Sequence, residues 1–177
     1  MSRMSRWFLA YGFADVHADL IVGAYPLDAD DVADVARLGI TRLLNLVQDS
    51  EYQPGQREEV GAALVAAGIA ETRLPLIDYG HLPFDQLDDA VDTVVAWLRA
   101  GERVYLHCRA GWQRSASVAA GAVAILDGIE IEAALDQIQR HKPSADPLPH
   151  QRRDLVRWSD QRAAARSVNP PPAGDER

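Results

Sequence analysis

Short apolar runs alternate along this chain with longer amphipathic stretches. Leu20-Ile21-Val22-Gly23 is an apolar run closed by Gly23 and Pro26, which predicts an early strand. Asp28 is placed to cap a helix that carries Val32, Val35 and Leu38 on one face and stops at Gly39. Residues 41–47 predict the next strand, which runs out into the polar Gln48-Asp49-Ser50. A helix is expected over 54–67, with Val60 and Leu64 one turn apart and Gly68 at its end, followed by a strand over 69–76. Asp85 reads as the opening of a helix with Leu87, Val91, Val94, Val95 and Leu98 on one stripe, closed by Gly101. A short strand over 104–107 leads into a polar, glycine-containing loop. Helices are then expected over 115–126, rich in Ala, Val and Gly, and over 132–140 and 149–166.

Strands alternating with helices predict a single α/β domain, with a central, mostly parallel sheet of about four or five strands flanked by helices. Such sheets place ligand sites at the C-terminal ends of their strands, and Cys108 directly follows the strand at 104–107. The pattern divides the chain into an N-terminal segment over 1–19, a domain over 20–166, and a tail over 167–177. The tail contains Asn-Pro-Pro-Pro-Ala-Gly and is expected to be disordered. No internal repeat is visible.

Composition narrows the chemistry. The chain has 177 residues and a formal net charge of −8, so nucleic acid is not an expected partner for its surface as a whole. A local basic pocket can still outweigh that distant field and hold an anion. Cys108 is the one cysteine in the sequence, which rules out an intramolecular disulfide or a zinc site built of cysteines. What remains is a buried inert thiol or a reactive one. The apolar stretch from Trp7 to Ala14 is short for a signal peptide, and no segment is apolar enough over a sufficient length to span a bilayer. A cytoplasmic location is expected.

The loop His107-Cys108-Arg109-Ala110-Gly111-Trp112-Gln113-Arg114-Ser115 carries the chemistry. A strand that turns tightly into a helix leaves backbone N–H groups without internal partners, and these can cradle a tetrahedral anion at the positive end of the helix dipole. Gly111 supplies backbone freedom where the turn is tightest. Arg114 can offer two parallel donors to two phosphate oxygens, and a cation at a helix start makes sense when an anion faces it. The same donors favour a Cys108 thiolate, a ready nucleophile near neutral pH. His107 is placed to orient the loop through a backbone hydrogen bond. Ser115 can donate to the sulfur.

With these residues in place, the stretch resembles the His-Cys-x5-Arg-Ser/Thr signature of the cysteine-based protein tyrosine phosphatases. Its Cys-x2-Gly-x2-Arg-Ser form, in a small domain, is most similar to the dual-specificity branch. Leu20-Ile21-Val22-Gly23-Ala24-Tyr25-Pro26 resembles the opening strand and turn of that branch, and the similarity runs over about 20–158. The resemblance implies a phosphomonoester hydrolase working through a phosphocysteine, with no metal or other cofactor. Catalytic roles would fall to Cys108, Arg114, Asp78, Ser115 and His107. The phosphate would be bound by the loop from Arg109 through Ala110, Gly111, Trp112 and Gln113 to Arg114.

The acid is identified through the family pattern, which puts an Asp on a separate loop some thirty residues before the Cys. Asp78, in Leu76-Ile77-Asp78-Tyr79-Gly80, fits that spacing and follows a strand. Gly80 and Pro83 suit a closing loop. Asp85 and His81 are competitors; Asp85 also reads as a helix cap, and His81 as a solvated loop histidine.

The substrate stays open. Phosphorylated protein is the leading expectation, with a phosphoinositide or another small phosphorylated molecule as the alternative. Inorganic phosphate or an oxyanion is the expected loop ligand. Phosphoinositide-directed relatives often carry loop lysines, and this loop has only Arg109 beside Arg114. Trp112 resembles a residue of myotubularin-type loops, and packing behind the loop is its preferred placement over a place on the substrate rim. The basic stretch over 140–166 is read either as a border of the cleft or as a solvated helix face. Two other classes compete: a phosphate-binding module without turnover, and a rhodanese-type sulfurtransferase, which Gly111, Ser115 and Asp78 fit poorly.

Overall fold

The computed structural model describes residues 4–168. The chain order is α1 (Arg6–Tyr11), β1 (Phe13–His17), β2 (Leu20–Gly23), α2 (Ala29–Arg37), β3 (Arg42–Asn45), a 3-10 turn (Asp49–Glu51), α3 (Gln56–Ala66), β4 (Ala70–Arg73), α4 (Phe84–Arg99), β5 (Val104–His107), α5 (Arg114–Asp127), α6 (Ile131–His141) and α7 (Pro149–Val168). The five strands form one sheet in the order β1-β2-β5-β3-β4. All neighbours are parallel except β1, which runs antiparallel to β2 at the edge.

Side-chain alternation along each strand builds two apolar layers. Leu20, Val22, Leu44, Val104 and Leu106 face α4, α5, α6 and α7, while Ile21, Leu43 and Tyr105 face α1, α2 and α3. The central strands are buried on both faces, as the unbroken apolar runs of a parallel sheet require. Helix α5 is buried from Arg114 to Ala124, and its small residues let it lie close to its neighbours. At Gly121 an added Cβ would stand 2.7 Å from a Val91 methyl.

Two local differences from the sequence pattern have physical causes. Helix α4 starts at Phe84 with Pro83 in the N-cap position and no side-chain cap, so Asp85 lies inside the first turn rather than before it. The first nineteen residues, which the pattern assigned to no element, supply a helix and an edge strand. Phe8 seals the α1–α3 layer, and β1 gains its order by pairing with β2. The capping role expected of Asp28 is present: its carboxylate accepts from the Asp31 amide at 2.9 Å. Ser167 and Val168 continue α7, and the rest of the proposed tail lies outside the described residues.

Candidate active site

In the sheet register, Gly23, His107 and Asn45 stand side by side at the C-terminal ends of β2, β5 and β3. Cys108 takes the next step beyond that edge. The loop it opens turns at Gly111, where φ is +73°, and a Cβ there would stand 2.7 Å from the Gly23 carbonyl oxygen. Both the left-handed backbone and the contact with a neighbouring strand therefore demand glycine. The Tyr25 amide donates to the Arg109 carbonyl at 3.1 Å, which ties the other side of the loop to the sheet edge.

Cys108 is buried at the base of an open cavity of about 300 Å³. Its Sγ lies 3.2 Å from the Ser115 hydroxyl. Burial alone would push the thiol pKa up. The Arg114 charge, the Ser115 hydroxyl and the backbone N–H groups of Ser115 and Gln113 outweigh it, so the thiol sits below its usual range. Helix α5 has no side-chain cap at its N-terminus, which leaves its first amides facing the loop.

His107 is also buried. Burial drives its pKa down to about 3, with the Arg114 charge acting in the same direction, so the ring is neutral at neutral pH. Its Nδ1 lies 3.1 Å from the Cys108 carbonyl oxygen. A carbonyl only accepts, so Nδ1 carries the proton. His107 thus holds the Cys108 peptide in place and carries no charge into the site.

Arg114 is almost fully enclosed, at 1 % exposure. Its Nη1 donates to Glu51 Oε2 at 2.8 Å and to the Leu76 carbonyl at 3.0 Å, and its Nη2 donates to Glu51 Oε1 at 2.7 Å. Asp78 Oδ1 lies 3.1 Å from Nη2. Nε is buried and has no partner. Glu51 therefore takes one donor from each terminal nitrogen, while Nε is left open and Nη2 also faces Asp78.

Sequence reasoning missed Glu51. Its signal was the polar run that follows β3, which emerges at the same sheet edge as Cys108. The Gln48 amide donates to Glu51 Oε2 at 2.8 Å. Burial would raise the Glu51 pKa, but hydrogen bonds from Arg114 and Gln48 and the Arg114 charge bring it below its usual value. Gln48 also reaches the loop that carries Asp78, accepting from the Asp78 amide through Oε1 at 3.3 Å.

Asp78 lines the same cavity as Cys108, together with the aromatic residues Trp7, Tyr11 and Trp112. Neither competitor lines it. His81 instead meets Asp154 at 2.9 Å. Trp112 does not pack behind the loop. It is 40 % exposed and stands on the rim, with its ring 5.2 Å from that of Tyr11. The reason is that α1, unforeseen in the sequence, offers an aromatic neighbour outside the loop. Gln113 and Ala110 also line the cavity, and the Arg109 guanidinium stacks over Trp7 at 5.6 Å. The basic stretch over 140–166 stays away from the cavity lining: Arg152 pairs with Glu132 and Asp146, Arg162 with Asp88 and Asp92, and Lys142 is buried. Among the described residues no group of three His, Cys, Asp or Glu is placed to hold a metal ion, and no helix is long and apolar enough to cross a membrane.

A cysteine whose thiol is held below its usual pKa range, at the start of a tight turn and backed by an arginine at the first helical position, is the architecture of the cysteine-based protein tyrosine phosphatase superfamily in its dual-specificity-like form. Residues 24–128 match the family described as "Polymorphic toxin system, DSP-PTPase phosphatase", and the chain belongs to that family. It is similar to human dual specificity phosphatase 28, being 29% identical over 116 residues. That stretch is 65% of this chain and 60% of the human protein, so the match spans about three fifths of the relative's length. In fold it is similar to PTPMT1 (TM-score 0.74, 20% identity, 89% of this chain and 99% of that one). It is likewise similar to Tk-PTP in its active form (TM-score 0.73, 21% identity, 84% and 97%).

Proposed function

We propose that this chain hydrolyses phosphomonoesters on proteins, at tyrosine or at serine and threonine, through a phosphocysteine intermediate. The observation that carries the reading is the unpartnered Nε–H of Arg114. A buried donor left unpaired is costly, and this one belongs to a guanidinium lining the same cavity as Cys108. An oxyanion over the thiolate would satisfy it.

In the first step the Cys108 thiolate attacks phosphorus, and the bond from phosphorus to the ester oxygen breaks. Asp78, protonated, gives its proton to the departing oxygen. An incoming phosphate oxygen would replace the Asp78 carboxylate on Arg114 Nη2, which frees Asp78 for this task. In the second step Asp78 takes a proton from water, the water oxygen attacks phosphorus, and the sulfur–phosphorus bond breaks. The Ser115 hydroxyl stabilises the returning thiolate. The amides of the loop and Arg114 hold the equatorial oxygens throughout, so catalysis rests on positioning and charge.

A phosphoinositide substrate is the competing reading. PTPMT1, which shares the fold, has been solved with PI(5)P. Here, among the described residues, the cavity lining offers Arg109 as the sole cation beyond Arg114, and Arg109 is stacked on Trp7. A polyphosphorylated headgroup finds little to hold, so phosphoprotein is favoured. Hydrolysis of para-nitrophenyl phosphate by the full chain, lost in Cys108→Ser, tests the reaction. A binding module without turnover would retain orthovanadate and release no nitrophenol.

A further inference from the structure

The loop between α6 and α7 touches both halves of the aromatic rim. Lys142, directly after α6, is 5 % exposed. Its Nζ donates to the Tyr11 carbonyl at 3.2 Å and to the Ser144 hydroxyl at 3.1 Å. Among the described residues no carboxylate pairs with it, so a buried ammonium is committed to two neutral acceptors. Burial pulls its pKa down, and the Cys108 thiolate pulls it partly back. Four residues later the Asp146 amide donates to the Trp112 carbonyl at 2.7 Å. Tyr11 ends α1, a helix of only six residues, and its ring lies 4.2 Å from Trp7 and 5.2 Å from Trp112.

We infer that Lys142 is a positioning residue for substrate selection: it clamps the end of α1 so that Tyr11 stands against Trp112 as a rigid wall beside Cys108, and this wall favours phosphate esters with a flat aromatic leaving group over slender alkyl ones. A buried cation is an expensive way to hold a backbone carbonyl, and its effect here is to join a short terminal helix to the rim. A ring laid against such a wall gains about 0.5–1.5 kcal/mol, roughly two- to tenfold in binding. An aliphatic serine ester gains little. The inference rests on the phosphatase reading above.

The test uses the full chain and two peptides of identical sequence, one with phosphotyrosine and one with phosphoserine. Lys142→Met should raise KM for the phosphotyrosine peptide by roughly threefold or more, with a smaller change in kcat, and move the selectivity ratio toward phosphoserine. Tyr11→Leu should produce the same shift, and the double variant should add nothing further, because both act on one wall. Lys142→Arg, which keeps a donor, should restore part of the preference. Equal losses of kcat on both peptides with an unmoved ratio would overturn the inference, as would additive effects of the two substitutions. Absence of Cys108-dependent turnover by the wild-type chain would remove the phosphatase reading and this proposal with it; an active enzyme with an indifferent ratio removes this proposal alone.

Discussion

Both oxygens of Glu51 accept from the terminal nitrogens of Arg114, so the guanidinium is locked in orientation before any substrate arrives. The pair is buried on both sides, with side-chain exposures of 1% and 8%. Removing one partner of a buried pair strands the other charge, at a cost of about 3–5 kcal/mol. Glu51→Ala is expected to lower the melting temperature strongly and to reduce kcat/KM on para-nitrophenyl phosphate. Glu51→Gln, which keeps one acceptor, should lose less of both. Thermal melts and steady-state rates on the two variants check this, and a Glu51→Ala protein with wild-type stability would contradict it.

Asp78 lines the cavity that holds Cys108 and touches Arg114, which separates its two expected effects. Asp78→Asn should lower kcat by about 10²–10⁴, the usual worth of a positioned acid. The same change removes a carboxylate that competes for Nη2, so orthovanadate should bind as tightly as in the wild type or tighter. Inhibition constants for orthovanadate measured beside kcat would expose the split. Equal weakening of both would count against the acid role.

His107 makes the fold sensitive to mild acid. Its folded pKa is pushed from the usual 6.5 down to about 3. Below 6.5 the unfolded chain takes up a proton that the folded chain refuses, so the contribution is whole above 6.5 and is lost as the pH falls toward 3. The loss approaches about 1.4 kcal/mol per pH unit. Glu51 adds to it only below its ordinary range of 4.5, because its folded pKa is also lowered. Chemical denaturation between pH 6.5 and 5 isolates the histidine. His107→Gln, which can still donate to the Cys108 carbonyl, should flatten the slope there.

Cys108 stands alone in the sequence, with its thiol held below the usual range. Peroxide should inactivate the enzyme readily at neutral pH. Early loss should be reversed by thiols, since oxidation stops first at a sulfenic acid or a sulfenamide with a backbone nitrogen. No intramolecular disulfide can intercept the process, so prolonged exposure should become irreversible. Activity followed during peroxide treatment and after dithiothreitol gives the result, and resistance would argue against a thiolate.

The sheet and the loop were legible because their signals are local. Apolar runs of strand length, glycines after helices, and the spacing from Cys108 to Ser115 each describe a few neighbouring residues. The succession of β2, β3, β4 and β5 along the chain follows from those runs, and Asp78 was singled out by the spacing of the resembled family. Glu51 was invisible because its partner is 63 positions away and only the sheet brings them together. α1 was missed because six residues carry too little periodicity to register, and Phe8 is buried in a cluster whose other members come from β2, α2, α3 and the central strands. Trp112 was misplaced for the same reason: its neighbour Tyr11 lies far upstream in the chain.

A Cβ at Gly111 would strike the backbone of Gly23, so the loop can pack there only as glycine. At Gly23 a Cβ would also strike the Tyr105 hydroxyl at 2.1 Å. The phosphate loop therefore has almost no room to be retuned by substitution: its shape belongs to the sheet. The proposed wall is freer on its Tyr11 side, where a ring from outside the loop meets Trp112. An engineer wishing to redirect this scaffold would vary Tyr11 and leave the buried Phe8 and residues 107–115 untouched.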